Sequence, residues 1–147
     1  MLVVDNGSSD NTIGVAEEWK EALPLVLVEC LEVGVNAGRN VALDNCQTEL
    51  IAFTDDDAVP QADWLAETAK TFRENPELDA LQGVKGNYYP ESFAARLIQF
   101  TARGLSAARD RDGPRVVSPT IVDTCNLTLR LERVRQHGLK FDTSFHK

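Results

Sequence analysis

Short apolar segments alternate along this chain with segments whose apolar residues recur at helical spacing. The short segments are rich in β-branched and other apolar residues, as strands are: MLVV, LVLVECL, ELIAFT and LDALQGVKG. In the segments between them, apolar residues lie three or four positions apart, which is typical of amphipathic helices. This alternation predicts an α/β fold, a three-layer sandwich with a mainly parallel sheet. We expect the four strands of one sheet at about residues 2–5, 25–30, 50–54 and 80–84.

Helices are predicted in NTIGVAEEWKEAL, in NAGRNVALDNC and over residues 60–75, where Pro60 suits a first helical turn and Leu65 is expected in the core. Further along, ESFAARLIQFTARGLSAA has helical periodicity and VVSPTIVDTCNLTLR is rich in strand-forming residues. The segment LERVRQHG predicts a short helix that ends at Gly138. With 147 residues and no repeats, the chain corresponds to a single domain that is long enough to bury a core.

The composition is that of a globular protein, and its charge excludes some partners. Hydrophobic residues make up 43% and charged residues 26%, which are ordinary values. The formal net charge of −8 argues against binding nucleic acid or an anionic membrane through the whole surface. No apolar run approaches the ~20 residues of a membrane span. Three isolated cysteines indicate reduced thiols, and we expect a cytoplasmic protein: Cys30, Cys46 and Cys125.

Polar segments follow the first and third predicted strands. DNGSSDNT begins with Asp5, and DDDAVP contains the triplet Asp55, Asp56 and Asp57. Ligands of parallel α/β sheets bind beyond the carboxyl ends of the strands, so we expect Asp5 and the triplet on one rim. Adjacent carboxylates repel each other, and a hard divalent cation such as Mg²⁺ or Mn²⁺ relieves that repulsion. A solvated acidic loop is the alternative interpretation of the triplet.

Four motifs in this order resemble those of the family 2 nucleotide-sugar glycosyltransferases: VVDNGSSDNT, NAGRNVAL, IAFTDDDAVPQADWL and DTCNLTLRLERVRQHGLKFDTSF. The resemblance runs almost from end to end. It implies the type A glycosyltransferase fold, which is nucleotide-diphospho-sugar transferase-like, and inversion at the anomeric centre. It further implies a nucleotide-sugar donor that is expected to be UDP-linked, a sugar or lipid-linked acceptor, and Mg²⁺ or Mn²⁺ as cofactor.

The resemblance assigns nucleotide-binding roles in the first two motifs. Asp5 corresponds to the carboxylate that contacts the nucleotide base, and Asn6 and Gly7 belong to the same loop. Arg39 corresponds to an arginine near the nucleotide, where a guanidinium stacks on a base or binds phosphate. A turn-forming aspartate and a surface arginine are the alternatives.

The resemblance also assigns the acidic triplet and the last motif. The triplet corresponds to the family's Asp-x-Asp signature, with Asp55 facing ribose, diphosphate and metal, and Asp57 as the metal ligand. Asp56 is compatible with the nucleotide or the metal role. The donor-sugar or acceptor pocket is expected to include three consecutive residues, for which a buried strand is the alternative: Thr124, Cys125 and Asn126.

Two departures from the family pattern affect what is expected of residues 1–147. Family members begin with an additional central strand, whereas this chain starts at what resembles their second strand. Their catalytic base lies in a Glu-Asp pair a little beyond the equivalent of FDTSF, and here the sequence ends at Lys147. We therefore expect a partial catalytic domain that binds donor weakly and transfers no appreciable sugar. If that is wrong, Asp123 and Asp142 are the first residues to consider as base.

Two other function classes are compatible with the residues. AFTDDDAV also resembles the strand and Asp-x-Asp-x-Val motif of haloacid-dehalogenase-type phosphatases, in which Asp55 would be the nucleophile and Asp57 the acid/base. That motif normally lies near the chain start, and the loops at Asp5 and Arg39 would then have no role. The second class is a non-catalytic module that binds a nucleotide or a partner chain.

Five arginines in the second half predict a further contact. They could meet a lipid phosphate or the inner face of the membrane, which would make the protein peripheral there: Arg96, Arg103, Arg109, Arg111 and Arg115. Asp110 and Asp112 lie between them, so a solvated loop is the favoured interpretation.

Overall fold

A computed structural model of the chain describes residues 1–83 and 123–144, which belong to two compact units. Of the described residues, the first unit contains 1–51 and 131–144. The second contains 52–83 and 123–130. The helix predicted in ESFAARLIQFTARGLSAA and the five arginines predicted to contact a membrane lie outside the described residues.

The described residues form five strands and four helices, most of them at the predicted places. The strands are β1 (Leu2–Asp5), β2 (Val26–Glu29), β3 (Leu50–Thr54), β4 (Ala80–Gln82) and β5 (Asn126–Arg130). The helices are α1 (Thr12–Trp19), α2 (Val35–Asn45), α3 (Trp64–Glu74) and α4 (Leu131–Gln136).

The first unit is built on a parallel pair of strands. β1 and β2 run in register from Leu2 opposite Val26 to Asp5 opposite Glu29. Both α1 and α2 contact β1. The buried face of α2 consists mostly of small residues, and a Cβ at Gly38 would lie only 3.8 Å from Val4 Cγ1. The helix therefore approaches the strand closely without a large side chain between them.

A three-stranded sheet in the order β3-β5-β4 consists mostly of residues of the second unit, since only the first two residues of β3 belong to the first. β4 and β5 are antiparallel, with Ala80 opposite Leu129 and Gln82 opposite Leu127. Arg130, at the end of β5, donates from Nε to the carbonyl of Leu78 at 3.1 Å. Its guanidinium carbon lies 5.2 Å from the centre of the buried Phe72 ring of α3. Arg130 therefore connects the sheet to the helix that packs in the same unit.

The α/β prediction is confirmed, but the sheet differs from the one that was predicted. Within the described residues the four predicted strands lie in two sheets, and β5, from much later in the chain, pairs between β3 and β4. Parallel pairing is seen for β1 and β2, whereas β4 runs antiparallel to β5. α3 begins at Trp64 rather than Pro60, since two turns precede it, in which the backbone carbonyls of Asp55 and Gln61 accept hydrogen bonds. Leu65, expected in the core, is 61% exposed.

Two of the simpler predictions concern the thiols and the membrane. Cys30 is buried, Cys46 and Cys125 are partly buried, and all three are reduced thiols rather than halves of a disulfide, as predicted. In the described parts of the chain, no helix combines the length and the apolar character that crossing a membrane requires.

Leu131 is the best position for a test of the first unit's core. It is 1% exposed, and its N–H donates to the carbonyl of Glu49 at 2.9 Å. We expect Leu131→Ala to lower the free energy of unfolding by about 2–5 kcal/mol, because the change removes buried methyl groups and leaves a cavity. Urea denaturation measures this. Leu31, in the same unit and 93% exposed, supplies the matched control. Leu31→Ala should change the free energy by less than about 0.5 kcal/mol, and equal effects of the two changes would contradict this core assignment.

Candidate functional site

Asp5 is a buried carboxylate at the carboxyl end of β1. The residue is 6% exposed, and its Oδ2 accepts hydrogen bonds from the backbone N–H groups of Gly7 at 3.2 Å and Ser8 at 3.3 Å. Gly7 has a φ of 82°, a left-handed conformation that favours glycine. The turn that the sequence predicted at DNGS therefore forms, and it directs two N–H donors at one carboxylate oxygen.

The other oxygen of Asp5, Oδ1, differs from Oδ2 in its hydrogen bonding. Oδ1 is buried and, within the described residues, has no hydrogen-bond partner. The Ser8 hydroxyl, followed by the N–H groups of Ser8 and Gly7, lowers the pKa of the Asp5 carboxyl, although burial opposes this. A buried acceptor without a partner is costly, and an ionised one more so. The site is therefore suited to a ligand that supplies a donor to Oδ1.

Asn6 holds the loop beside Asp5. Its Nδ2 donates to the carbonyls of Glu32 at 2.6 Å and Cys30 at 3.4 Å, and its Oδ1 accepts from the N–H of Gly34 at 2.8 Å. Gly34 precedes α2 and has a φ of 129°, which again favours glycine. The side chain of Asn6 thereby connects the end of β1 to the loop that leads into α2.

Arg39 lies on α2 and is fixed by two neighbours. Its Nη1 donates to Asn36 Oδ1 at 2.9 Å, and its guanidinium carbon lies 5.7 Å from the centre of the Phe141 ring. The guanidinium is therefore both hydrogen-bonded and stacked near an aromatic face, a pairing that restricts its orientation. Asp5, the Asn6 loop and Arg39 belong to the same unit.

The acidic triplet forms an exposed turn after β3. The side chains of Asp55, Asp56 and Asp57 are exposed, and the N–H of Ala58 donates to the Asp55 carbonyl at 3.2 Å. Within the described residues there is no cluster of three metal-binding side chains. Carboxylate oxygens are nevertheless the right ligands for Mg²⁺ or Mn²⁺, and Mg²⁺ is commonly held by one or two carboxylates plus substrate phosphates. The ligand chemistry of the triplet therefore fits the predicted cation.

Of the predicted pocket residues, Thr124 and Cys125 lie in the turn before β5. Asp123 organises this turn, since its Oδ1 accepts from the Cys125 N–H at 2.9 Å and its own N–H donates to Gln82 Oε1 at 3.1 Å. Thr124 and Cys125 are half-buried. The turn is thus held against the end of β4 by side-chain contacts with the backbone.

Asn126 begins β5 and takes part in a local network. Its Oδ1 accepts from Trp64 Nε1 at 2.8 Å, and its carbonyl accepts from the N–H of Gly83 at 2.9 Å. A Cβ at Gly83 would overlap the Asn126 carboxamide. The indole of α3 and the glycine after β4 therefore fix the asparagine that was predicted for the pocket.

Two features of the site were missed by the sequence reasoning. Ser8 stabilises the Asp5 carboxylate, and Asn36 supports Arg39. Serine three positions after a strand-end aspartate is the signal for the first, because such turns bind the aspartate side chain. The expected meeting of Asp5 with the acidic triplet stays a prediction, since the two lie in different units.

Comparison with known proteins places the chain among glycosyltransferases. A sequence model described as "Glycosyl transferase family 2" matches residues 1–131. Glycosyltransferase AglE of Haloferax volcanii is 28% identical over 142 residues, which cover 94% of this chain and 44% of AglE.

Two solved structures have a similar fold. The mannosyltransferase PcManGT from Pyrobaculum calidifontis, in complex with GDP-Man and Mn²⁺, is 28% identical with a TM-score of 0.68, covering 97% of this chain and 38% of that one. S. aureus TarS 1–349, in complex with UDP-GlcNAc, is 22% identical with a TM-score of 0.62, covering 96% and 39%. The chain therefore spans less than half the length of AglE, PcManGT or the TarS fragment.

The Asp5 turn predicts a specific titration behaviour. Because hydrogen bonds favour the ionised form, the Asp5 carboxyl should titrate below its ordinary value of 3.8. Its contribution to stability is then fully present above pH 3.8 and is lost as the pH falls through the lower folded-state pKa. We expect Ser8→Ala to raise this pKa, since the hydroxyl is the largest cause of the shift. Carbon-13 NMR of the Asp5 carboxyl measures it, and an unchanged titration in Ser8→Ala would contradict the assignment.

Proposed function

The chain belongs to glycosyl transferase family 2, and we propose that it is part of an enzyme that transfers a sugar from a uridine-diphosphate donor to an acceptor hydroxyl with inversion. The fold is that of the type A glycosyltransferases. The observation that carries the uridine proposal is the free, buried Oδ1 of Asp5.

The chemistry of Asp5 favours a base with a single N–H in the right place. Oδ2 already accepts from Gly7 and Ser8, so one oxygen remains for a ligand. Uracil has one ring N–H, at N3, between two carbonyl acceptors. Guanine instead presents two adjacent donors, N1–H and the N2 amino group, which suit a carboxylate with both oxygens free. A carboxylate with one free oxygen therefore matches uracil better.

Arg39 is proposed to meet the nucleotide from α2. A guanidinium carries five N–H donors in a planar fork, and one is used by Asn36. The remaining donors suit the phosphate oxygens of a nucleoside diphosphate, and the positive charge of the guanidinium offsets the negative charge of those oxygens. In this proposal Asp5 recognises the base, Asn6 and Gly7 shape the loop around it, and Arg39 binds the phosphates.

The acidic turn is proposed to hold Mg²⁺ or Mn²⁺, with Asp57 as the main ligand and Asp55 as the second. Asp56 is proposed to support the nucleotide or the metal. When bound, the cation would neutralise charge on the diphosphate leaving group. The exposure of the three residues supports this role, because an ion can approach them from solvent.

The donor-sugar or acceptor pocket is proposed to involve Thr124, Cys125 and Asn126. The acceptor, a sugar or lipid-linked hydroxyl, must lose a proton as it attacks the anomeric carbon. Asp142 is a weak candidate for that base, because hydrogen bonds from the Ser144 hydroxyl and N–H lower its pKa. A lowered pKa reduces the affinity of a carboxylate for the acceptor's proton.

Family membership favours this interpretation over the alternatives. A phosphatase with Asp55 as nucleophile leaves the buried Asp5 carboxylate and the supported Arg39 without a purpose, whereas nucleotide binding uses both. A non-catalytic module would also use them. Hydrolysis of a generic phosphomonoester that Asp55→Asn abolishes would favour the phosphatase instead.

The role of Asp5 can be tested by exchanging the base. In Asp5→Asn the atom that accepts the Gly7 and Ser8 N–H groups stays an oxygen, so the amide NH₂ takes the place of Oδ1. That donor repels uracil N3–H but suits cytosine, whose N3 is an acceptor. We expect UDP to bind about tenfold more weakly or worse, and the preference for UDP over CDP to fall or reverse. Titration calorimetry with both nucleotides measures this.

Asp10 provides the control for that exchange. It lies in the same loop and is exposed, and its Oδ1 accepts from the Thr12 N–H at 3.0 Å. Asp10→Asn should leave the ratio of UDP to CDP affinity unchanged. An Asp5→Asn protein with the wild-type ratio would sink the proposed base contact.

The metal proposal predicts that UDP binds more tightly when Mn²⁺ is present, and that Asp57→Ala removes most of that gain. Water replaces a lost carboxylate ligand only in part, since it brings no negative charge. Titration calorimetry with and without Mn²⁺ decides this. Asp63→Ala is the matched control, because Asp63 is an exposed carboxylate shortly after the turn. Equal UDP affinity with and without Mn²⁺ in the wild-type protein would refute the proposal.

A further inference from the structure

One face of α2 holds an extended segment from the end of the described chain. Residues at positions i, i+4 and i+8 of the helix each bind one of three consecutive residues, so the segment runs antiparallel to the helix. We call this arrangement the α2 clasp; its pairs are Asp44 with Lys140, Asn40 with Phe141, and Asn36 with Asp142.

The central pair of the α2 clasp has the tightest geometry. The Phe141 N–H donates to Asn40 Oδ1 at 2.8 Å, and Asn40 Nδ2 donates to the Phe141 carbonyl at 2.9 Å. One carboxamide thus binds both backbone groups of a residue 101 positions away. Asparagine is a poor helix former, so its place on this face is better explained by the clasp than by helix stability.

The α2 clasp also fixes Arg39 on two sides. The backbone of Phe141 is held by Asn40, and its ring lies 5.7 Å from the Arg39 guanidinium carbon. Asn36 donates to the Asp142 carbonyl at 2.8 Å, while its Oδ1 accepts from Arg39. Among the described residues, the side-chain hydrogen bonds of Asn40 go to Phe141 and not to the guanidinium, so its effect on Arg39 passes through Phe141.

We propose that Asn40 is a positioning residue of the nucleotide site, which holds Phe141 so that the Arg39 guanidinium is already oriented when the diphosphate binds. The inference rests on the proposed function, because it assumes that Arg39 meets the nucleotide. Arginine has many rotamers, and immobilising such a side chain on binding weakens affinity by about two- to tenfold. The α2 clasp removes that cost before the ligand arrives.

The test is a double-mutant cycle on UDP affinity, measured by titration calorimetry on the 147-residue chain. We expect Asn40→Ala to weaken UDP binding by about two- to tenfold. In an Arg39→Ala background, the same change should have no further effect, because there is no guanidinium left to orient. A role in general folding would weaken binding equally in both backgrounds.

Asn45→Ala is the matched control. Asn45 lies on the same helix and is exposed, and its Nδ2 donates to the Val41 carbonyl within α2. This change should leave UDP affinity as in the wild-type chain. If Asn40→Ala fails to fold, as judged by circular dichroism, Phe141→Leu replaces it. That variant keeps both backbone hydrogen bonds and an apolar side chain but removes the ring, and it should show the same loss and the same dependence on Arg39.

The outcomes separate the two claims. A loss that is equal with and without Arg39, or no loss in either folded variant, overturns the positioning role and leaves the proposed function in place. If the Arg39→Ala variant binds UDP as tightly as the wild-type chain, the proposed role of Arg39 is overturned, and the positioning role with it. A wild-type chain that binds neither UDP nor GDP overturns the proposed function as a whole.

Discussion

The packing of α2 against β1 is the contact on which the rest of the first unit depends. The small residue Gly38 lies against Val4, and Asn6, just after β1, binds the backbone at Gly34 where the helix begins. The positions of Arg39 and of the α2 clasp depend on this packing, because both belong to the same helix. A bulky residue between helix and strand would displace the loop around Asp5 and the guanidinium together.

The sequence predicted those elements whose patterns are local. The apolar run LIAFT and the turn residues after MLVV indicated β3 and the Asp5 loop, and both formed where expected. The pairing of β5 between β3 and β4 could not be predicted in this way, since it joins segments that are far apart and leaves no periodic trace. The early start predicted for α3 followed from Pro60, whose preference for a first turn was overridden by the turns before Trp64.

The same distinction between local and long-range features applies to the candidate site. Asp5 and Arg39 were predicted as site residues from their motifs. That one oxygen of Asp5 has no partner among the described residues could not be predicted, because it depends on which N–H groups the folded turn directs at the other oxygen. The spacing of Asn36, Asn40 and Asp44 is visible in the sequence, but nothing local to the helix indicates that Phe141 lies beside it. Asparagines at helical spacing can therefore indicate a helix face that binds the backbone of a distant segment.

The discontinuity of the first unit has a consequence for synthesis on the ribosome. Asn40 emerges long before Phe141, with 101 positions between them, and chains are translated at about 5–20 residues per second. For roughly 5–20 s, then, the nascent chain has the β1–α2 loops but not the segment that completes this side of α2. Closing so long a loop also costs entropy that only native contacts repay. Arg39 is thus restrained last, after the intervening second unit has been synthesised.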